Sequence, residues 1–205
     1  MRALVLVDLQ YDFMPGGALA VADGDETVPI AAKLTPRFDI VVATQDWHPK
    51  DHKSFAVNNP GKQVGELGEL GGLPQVMWPA HCVQGTHGAE LHESLERSKI
   101  TAVFRKGIDA GIDSYSGFFD NGHKKATGLG DWLKQKRVDK LYVLGLATDY
   151  CVKFTCLDGR QQGFDVWLIE DGCRGVNLQA GDSDKAIAEM RDAGATIITS
   201  GAISS

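Results

Sequence analysis

The chain has 205 residues, 43% hydrophobic and 23% charged, a balance that suits one soluble globular core and needs no disulfide staples. A formal net charge of −6, with no run of Lys or Arg beyond two or three, argues against nucleic acid and against an anionic membrane as principal partners. The four cysteines (Cys82, Cys151, Cys156, Cys173) form no CxxC pair, and the first apolar stretch, interrupted at Asp8, is too short for a signal-peptide core or a membrane span, so free thiols in a reducing cytoplasm are expected.

Short apolar runs bounded by charges or turn residues read as buried parallel strands, and helical patterns lie between most of them. In chain order the expected elements are a strand at 2–8, a helix at 27–38 weakened by Pro29 and Pro36, and a strand at 40–45. A strand at 101–105, a helix at 127–136, a strand at 140–145 and a helix at 149–163 follow. A strand at 166–169, a helix at 182–193 and a strand at 196–199 complete the pattern. This alternation predicts a doubly wound α/β fold with a mostly parallel six-stranded sheet and helices on both faces, in one domain over 1–205. The segment 47–87 breaks the rhythm: it is rich in Gly and Pro, has no convincing period, and reads as a long functional loop.

Ligands of open α/β sheets bind beyond the carboxyl ends of the strands. Four expected strands deliver chemically capable residues to that edge: Asp8, Asp46, Lys106, and the run Thr148-Asp149-Tyr150-Cys151. Singly, each has a bland reading as a cap, a solvated charge or a small buried thiol. Their conjunction on one rim favours chemistry. At the start of a helix, Cys151 would sit where unpaired N–H groups and the macrodipole favour a thiolate, with Lys106 lowering its pKa further. Asp8 could take the thiol proton, and backbone N–H groups of the turn could serve as an oxyanion hole. Cys156 and Cys173 read as core.

A second set, Asp46-Trp47-His48 with His52 and the later Trp78-Pro79-Ala80-His81, offers one carboxylate and two or three imidazoles, suited to Zn²⁺, or to Fe²⁺ or Mn²⁺. His52 is as readily a loop-bonding residue as a ligand, and His87, His92 and His123 read as surface or structural. There is no GxSxG elbow, P-loop or HExxH motif, and Gly128-Leu129-Gly130 lacks the third glycine of a dinucleotide site.

Taken in order, LVLVDLQYDF, ATQDWHP, WPAHC, FRKG and GLATDYCV resemble the successive signatures of the nicotinamidase family among the isochorismatase-like cysteine hydrolases, over residues 4–163. The resemblance implies the isochorismatase-like hydrolase fold and hydrolysis of nicotinamide to nicotinate and ammonia through a cysteine thioester, in NAD salvage. It implies a triad of Asp8, Lys106 and Cys151, an oxyanion hole from Ala147 and Cys151 behind a cis Leu146–Ala147 peptide, and a divalent metal, zinc first, on Asp46, His48 and His81. His52 joins in some relatives. Phe13, Trp78 and Tyr115 would wall the aromatic ring, although on their own they could be core. Competing expectations are a maleamate or carbamoyl amidase of the same superfamily, and a non-enzymatic metal or redox module using Cys151. The sequence leaves open whether the chain forms a homo-oligomer.

Overall fold

Residues 3–7 are fully buried aliphatics without a polar interruption, the pattern of a strand covered on both faces. The structure, a computed structural model, describes residues 1–203; Ser204 and Ser205, the end of the expected 1–205 domain, lie outside the described residues. In chain order the principal elements are β1 (Arg2–Val7), α1 (Thr27–Leu34), β2 (Ile40–Asp46), β3 (Leu67–Leu70), β4 (Leu73–Val76) and β5 (Ala102–Lys106). They continue with α2 (Leu129–Gln135), β6 (Lys140–Leu146), α3 (Lys153–Gln161), β7 (Asp165–Arg174), α4 (Asp182–Asp192) and β8 (Thr196–Ile198).

Among the described residues the main sheet has six strands in the order β5-β2-β1-β6-β7-β8, every pair parallel. From β1 the chain winds outward through β2 to β5, then returns to β6 on the other side. A crevice therefore opens between the carboxyl ends of β1 and β6, where the order reverses. Helices cover both faces, as alternation along β6 shows. Leu141 reaches toward Gly159 of α3, whereas Leu144, three residues on and so on the opposite face, lies with Gly172 beside Ile30 of α1.

The expected elements are present with instructive shifts. β2 runs one residue further than expected and β5 is displaced by one, so Asp46 and Lys106 are the last residues of their strands. β7 continues to Arg174, past a register shift opposite Val143/Gly145. The helix expected over 27–38 ends at Leu34, and a 3-10 turn containing Pro36 follows; Pro29 is tolerated because it lies in the first turn, where its missing N–H has no helical partner.

The 47–87 segment is less irregular than its composition implies. β3 and β4 form an antiparallel hairpin, with Leu70 opposite Leu73 and Gly71-Gly72 between them, both at positive φ. That two-residue glycine turn is a hairpin signal in its own right.

Candidate active site

The crevice residues are placed by strand ends. Asp8 follows β1 in a left-handed conformation, φ 49°, and is fully buried. Thr44 on the neighbouring β2 donates its hydroxyl to Asp8 Oδ1 at 2.6 Å and accepts the Asp8 N–H at 3.2 Å, which fixes both the carboxylate and the turn. Asp8 Oδ2 lies 2.8 Å from Lys106 Nζ as an ion pair and, among the described residues, takes no hydrogen bond. It is the oxygen with capacity left for a proton.

Lys106 is the hub. Its buried ammonium lies 2.5 Å from Asp46 Oδ1, 2.8 Å from Asp8 Oδ2, 2.9 Å from the Ser114 carbonyl and 3.3 Å from Cys151 Sγ. An ammonium has three protons, so these four partners compete and at least one contact is purely electrostatic. Burial disfavours the charged form, yet Asp46 and Asp8 outweigh it and hold the Lys106 pKa well above its ordinary value. Burial raises Asp8 to about 6, with Lys106 pulling the other way. Burial also pushes Asp46 upward, but Lys106 and His48 win and keep it ionised, below the usual carboxylate range.

Cys151 differs from expectation in its setting. Residues Thr148–Val152 form a π-helical turn, and α3 begins only at Lys153, so the sulfur precedes the α-helix instead of occupying its first turn. Burial pushes the thiol well above its ordinary pKa, and Lys106 offsets only part of this. The thiolate expected from the helix terminus is therefore replaced by a resting thiol that needs a base. The Leu146–Ala147 peptide is cis, and the Ala147 carbonyl accepts the N–H groups of Tyr150 and Val152 at 3.1 Å each, which curls the turn around the sulfur.

On the other side of Asp46 stand the imidazoles. His48 Nδ1 is 2.9 Å from the Gly107 carbonyl and His81 Nδ1 is 2.8 Å from the Pro79 carbonyl. These bonds put the ring protons on Nδ1 and leave each Nε2 lone pair facing Asp46 Oδ2, at 3.7 and 3.9 Å. Burial, and then His48, lower His81 to about 4, so it stays neutral, with a lone pair available on the ring. His48 is raised because Asp46 outweighs its burial. Ligand atoms of Asp46, His48 and His81 all lie within 4.8 Å of one another. One carboxylate oxygen and two oriented imidazole nitrogens, each backed by a carbonyl, fit a borderline divalent cation with positions left open.

Two other groupings compete poorly. Asp8, Asp46 and Cys151 also cluster, but the Lys106 ammonium already sits against all three. His52 groups with His48 and Asp113. The Asp113 oxygens, however, already accept from Ser114 N–H and Gln75, and His48 cannot direct one Nε2 to both sets. His52 itself is buried, with Nδ1 against Ser54 and Nε2 without a hydrogen-bond partner among the described residues.

Between cysteine and imidazoles lies a pocket open to solvent on one side, lined by Phe13, Trp78, Tyr115, Ala147 and Cys151. Tyr150, named in the sequence only as part of the run that ends in Cys151, also lines it, as do Leu19, Val176 and Asp113, which were not singled out there. Tyr150 was legible as the residue before the cysteine. Val176 was not, because it stands on a loop after β7 with no motif around it. Tyr115 Oη accepts from Trp78 Nε1 at 3.2 Å and from Gln75 of the hairpin at 3.1 Å, so the wall is braced from β4.

A parallel α/β sheet carrying a cysteine turn, a buried acid and a buried ammonium at its switch point has the form of a thiol-dependent hydrolase. The chain belongs to the isochorismatase family: the family model, described as Isochorismatase domain, matches residues 2–202. It is 54% identical to the nicotinamidase of Escherichia coli K12 over 202 residues, 97% of this chain and 94% of that protein. The solved nicotinamidase/pyrazinamidase of Acinetobacter baumanii superposes with a TM-score of 0.94 at 48% identity, covering 98% of this chain and 96% of that one. The pyrazinamidase of Pyrococcus horikoshii, solved in complex with zinc, gives 0.75 at 35% identity, covering 97% and 98% of the two chains.

Proposed function

We propose that this chain is an amidohydrolase that converts nicotinamide to nicotinate and ammonia, a step of NAD salvage, with Cys151 as nucleophile, Asp8 as proton carrier and Lys106 as electrostatic support. The observation that carries the reading is the convergence of Lys106 Nζ on Asp8, Asp46 and Cys151 beside the aromatic pocket. The resting thiol gives its proton to Asp8 as sulfur attacks the carboxamide carbon. The N–H groups of Ala147 and Cys151 hold the oxyanion. Asp8 returns the proton to the departing ammonia, leaving a thioester on Cys151. It then takes a proton from the incoming water as the water oxygen bonds to the acyl carbon, the C–S bond breaks, and the proton passes back to Cys151 Sγ as nicotinate is released.

A divalent cation, zinc by the chemistry of its donors and as in the Pyrococcus relative, would be held by Asp46, His48 and His81, and when bound supplies a Lewis-acidic anchor that orients the ring nitrogen. Phe13, Trp78 and Tyr115 sandwich the ring, and Lys106 keeps Asp46 ionised for its task. His52 stands behind His48, their ring centroids 4.4 Å apart, and supports that ring from outside the Asp46 group. The four cysteines are buried free thiols, which suits a reducing cytoplasm.

The rival reading within the family is an amidase for maleamate or a carbamoyl compound, and the two imidazoles facing Asp46 favour a heteroaromatic amide over it. The decisive assay is ammonia release by zinc-loaded protein from nicotinamide and from maleamate, alongside Cys151→Ala. Nicotinamide should be the faster substrate, and the variant should lose activity by at least about a thousandfold. Preference for maleamate would reassign the substrate, and an active Cys151→Ala protein would end the hydrolase mechanism.

A further inference from the structure

Among the described residues, Val176 is the one wall of the pocket whose backbone is held by a side chain of the nucleophile's own turn. Asp149, buried two residues before Cys151, accepts the Val176 N–H on Oδ1 at 2.9 Å and the Asn177 N–H on Oδ2 at 2.7 Å. Both carboxylate oxygens are thus spent on consecutive amides of the β7–α4 loop. Asn177 adopts φ 52°, and its Oδ1 accepts the Ser183 N–H in the first turn of α4 at 2.9 Å. Gly175 completes the arrangement: a Cβ there would run into Ser183 Oγ and approach Asp149 Oδ1 at 3.3 Å.

We propose that Asp149 is a positioning residue that latches the 175–177 loop to the cysteine turn and so makes Val176 a specificity-determining wall, limiting the size of ring substituents admitted beside Cys151. The inference deepens the nicotinamidase reading and rests on it for its substrate. Two charge-assisted hydrogen bonds to adjacent N–H groups set the loop in distance and in tilt, which one bond would not. The other apolar walls are set differently: Phe13 is tied by main-chain bonds to Gln10 and Val21, Trp78 by main-chain bonds to Ser54 and Ala56, and Tyr115 is braced by Gln75 and Trp78. An Asn at 149 offers only one acceptor oxygen toward the two amides, so its NH₂ group would face an N–H and one latch bond would be lost.

The test compares nicotinamide with 5-methylnicotinamide in zinc-loaded wild type, Asp149→Ala, Asp149→Asn, Val176→Ala and the Asp149→Ala/Val176→Ala double variant. Discrimination against the methylated ring, as a ratio of kcat/KM values, should fall at least fivefold in Asp149→Ala and in Val176→Ala, with the Asn variant between them and wild type. The double variant should lose no more than the larger single effect, because both changes remove one wall. KM for nicotinamide should rise more than kcat falls. Unchanged discrimination, or additive losses in the double variant, would overturn the proposal. Far-UV circular dichroism and a melting scan establish that each variant is folded, so that an unchanged ratio reports on the wall and not on unfolding.

Amide hydrogen exchange of Val176 and Asn177 gives a reading independent of turnover. It should quicken at least tenfold at both amides in Asp149→Ala and at one of the two in Asp149→Asn, while the α3 amides stay as in wild type, and unchanged exchange in both variants also overturns the latch. If the wild-type protein releases no ammonia from nicotinamide, the function reading fails, and the exchange result still decides whether the latch exists.

Discussion

In the proposed mechanism, Asp8 is where burial and catalysis meet most directly. Desolvation holds its pKa near 6 against the pull of Lys106, so the carboxyl is ionised at neutral pH but binds a proton readily. Two consequences follow with definite signs. The ionised form accepts the thiol proton, so kcat/KM should be full above this pKa and fall about tenfold per pH unit below it. A bound cation nearby draws the value down, so the acid limb of the pH–rate profile should lie at or below about 6. A limb centred above 7 would point to another base. For stability the sign reverses: an acid whose folded pKa exceeds its unfolded one is a net cost to the native state once pH rises through the folded value. At pH 7.5 Asp8→Asn should therefore retain or raise Tm, while Lys106 keeps Asp46 and the Ser114 carbonyl as partners. Its ammonia release should fall by at least about a thousandfold. A calorimetric scan beside the assay separates the two effects.

Strand ends and the turns that leave them do most of the positioning. β5 delivers Lys106 and then turns at Gly107, φ 64°, whose carbonyl orients His48 while a Cβ on its α-carbon would strike the His48 ring. Gly107→Ala should thus displace the imidazole and strain the turn by about 1–2 kcal/mol. Zinc affinity should weaken by about ten- to a hundredfold, the range for losing a ligand's supporting partner, as measured by competition with a chelating dye. Wild-type affinity in this variant would show that His48 is oriented by something else. The same strand ends explain what the sequence revealed. Aliphatic runs ending in Asp8, Asp46 and Lys106 were readable because a buried parallel strand has one apolar pattern and one functional end. The π turn at Cys151 was not readable: its N–H groups bond five residues back instead of four, and no residue type marks that choice. The β3–β4 hairpin was concealed by short strands with exposed faces, although Gly71-Gly72 signalled it. Asp149 and Val176 join residues 27 apart in sequence through backbone amides, a contact that leaves no mark on side-chain pattern.

At the scale of the molecule, the proposed cation site on Asp46, His48 and His81 would tie β2 to both ends of the long 47–87 excursion. Asp46 closes the strand, His48 opens the segment, and His81 lies near its far end after the hairpin. Without a cation the cluster retains internal compensation. Asp46 keeps its ion pair with Lys106, and His48, raised by Asp46, takes up a proton more readily in the buried site. The chain should consequently stay folded when chelated, unlike small zinc domains whose whole core is the metal. Binding to the native state alone adds RT ln(1 + [L]/Kd), about 2.7 kcal/mol at a free zinc concentration one hundredfold above Kd. At this chain length each kcal/mol shifts Tm by roughly 2–4 °C, so saturating zinc should raise Tm by about 5–11 °C over the chelated protein. The shift should be much smaller in His81→Ala, which keeps the fold but loses the tie to the far end of the segment. Equal shifts in wild type and His81→Ala would place the stabilising cation elsewhere, whereas unfolding of the wild type on chelation would mean that Lys106 cannot hold Asp46 alone.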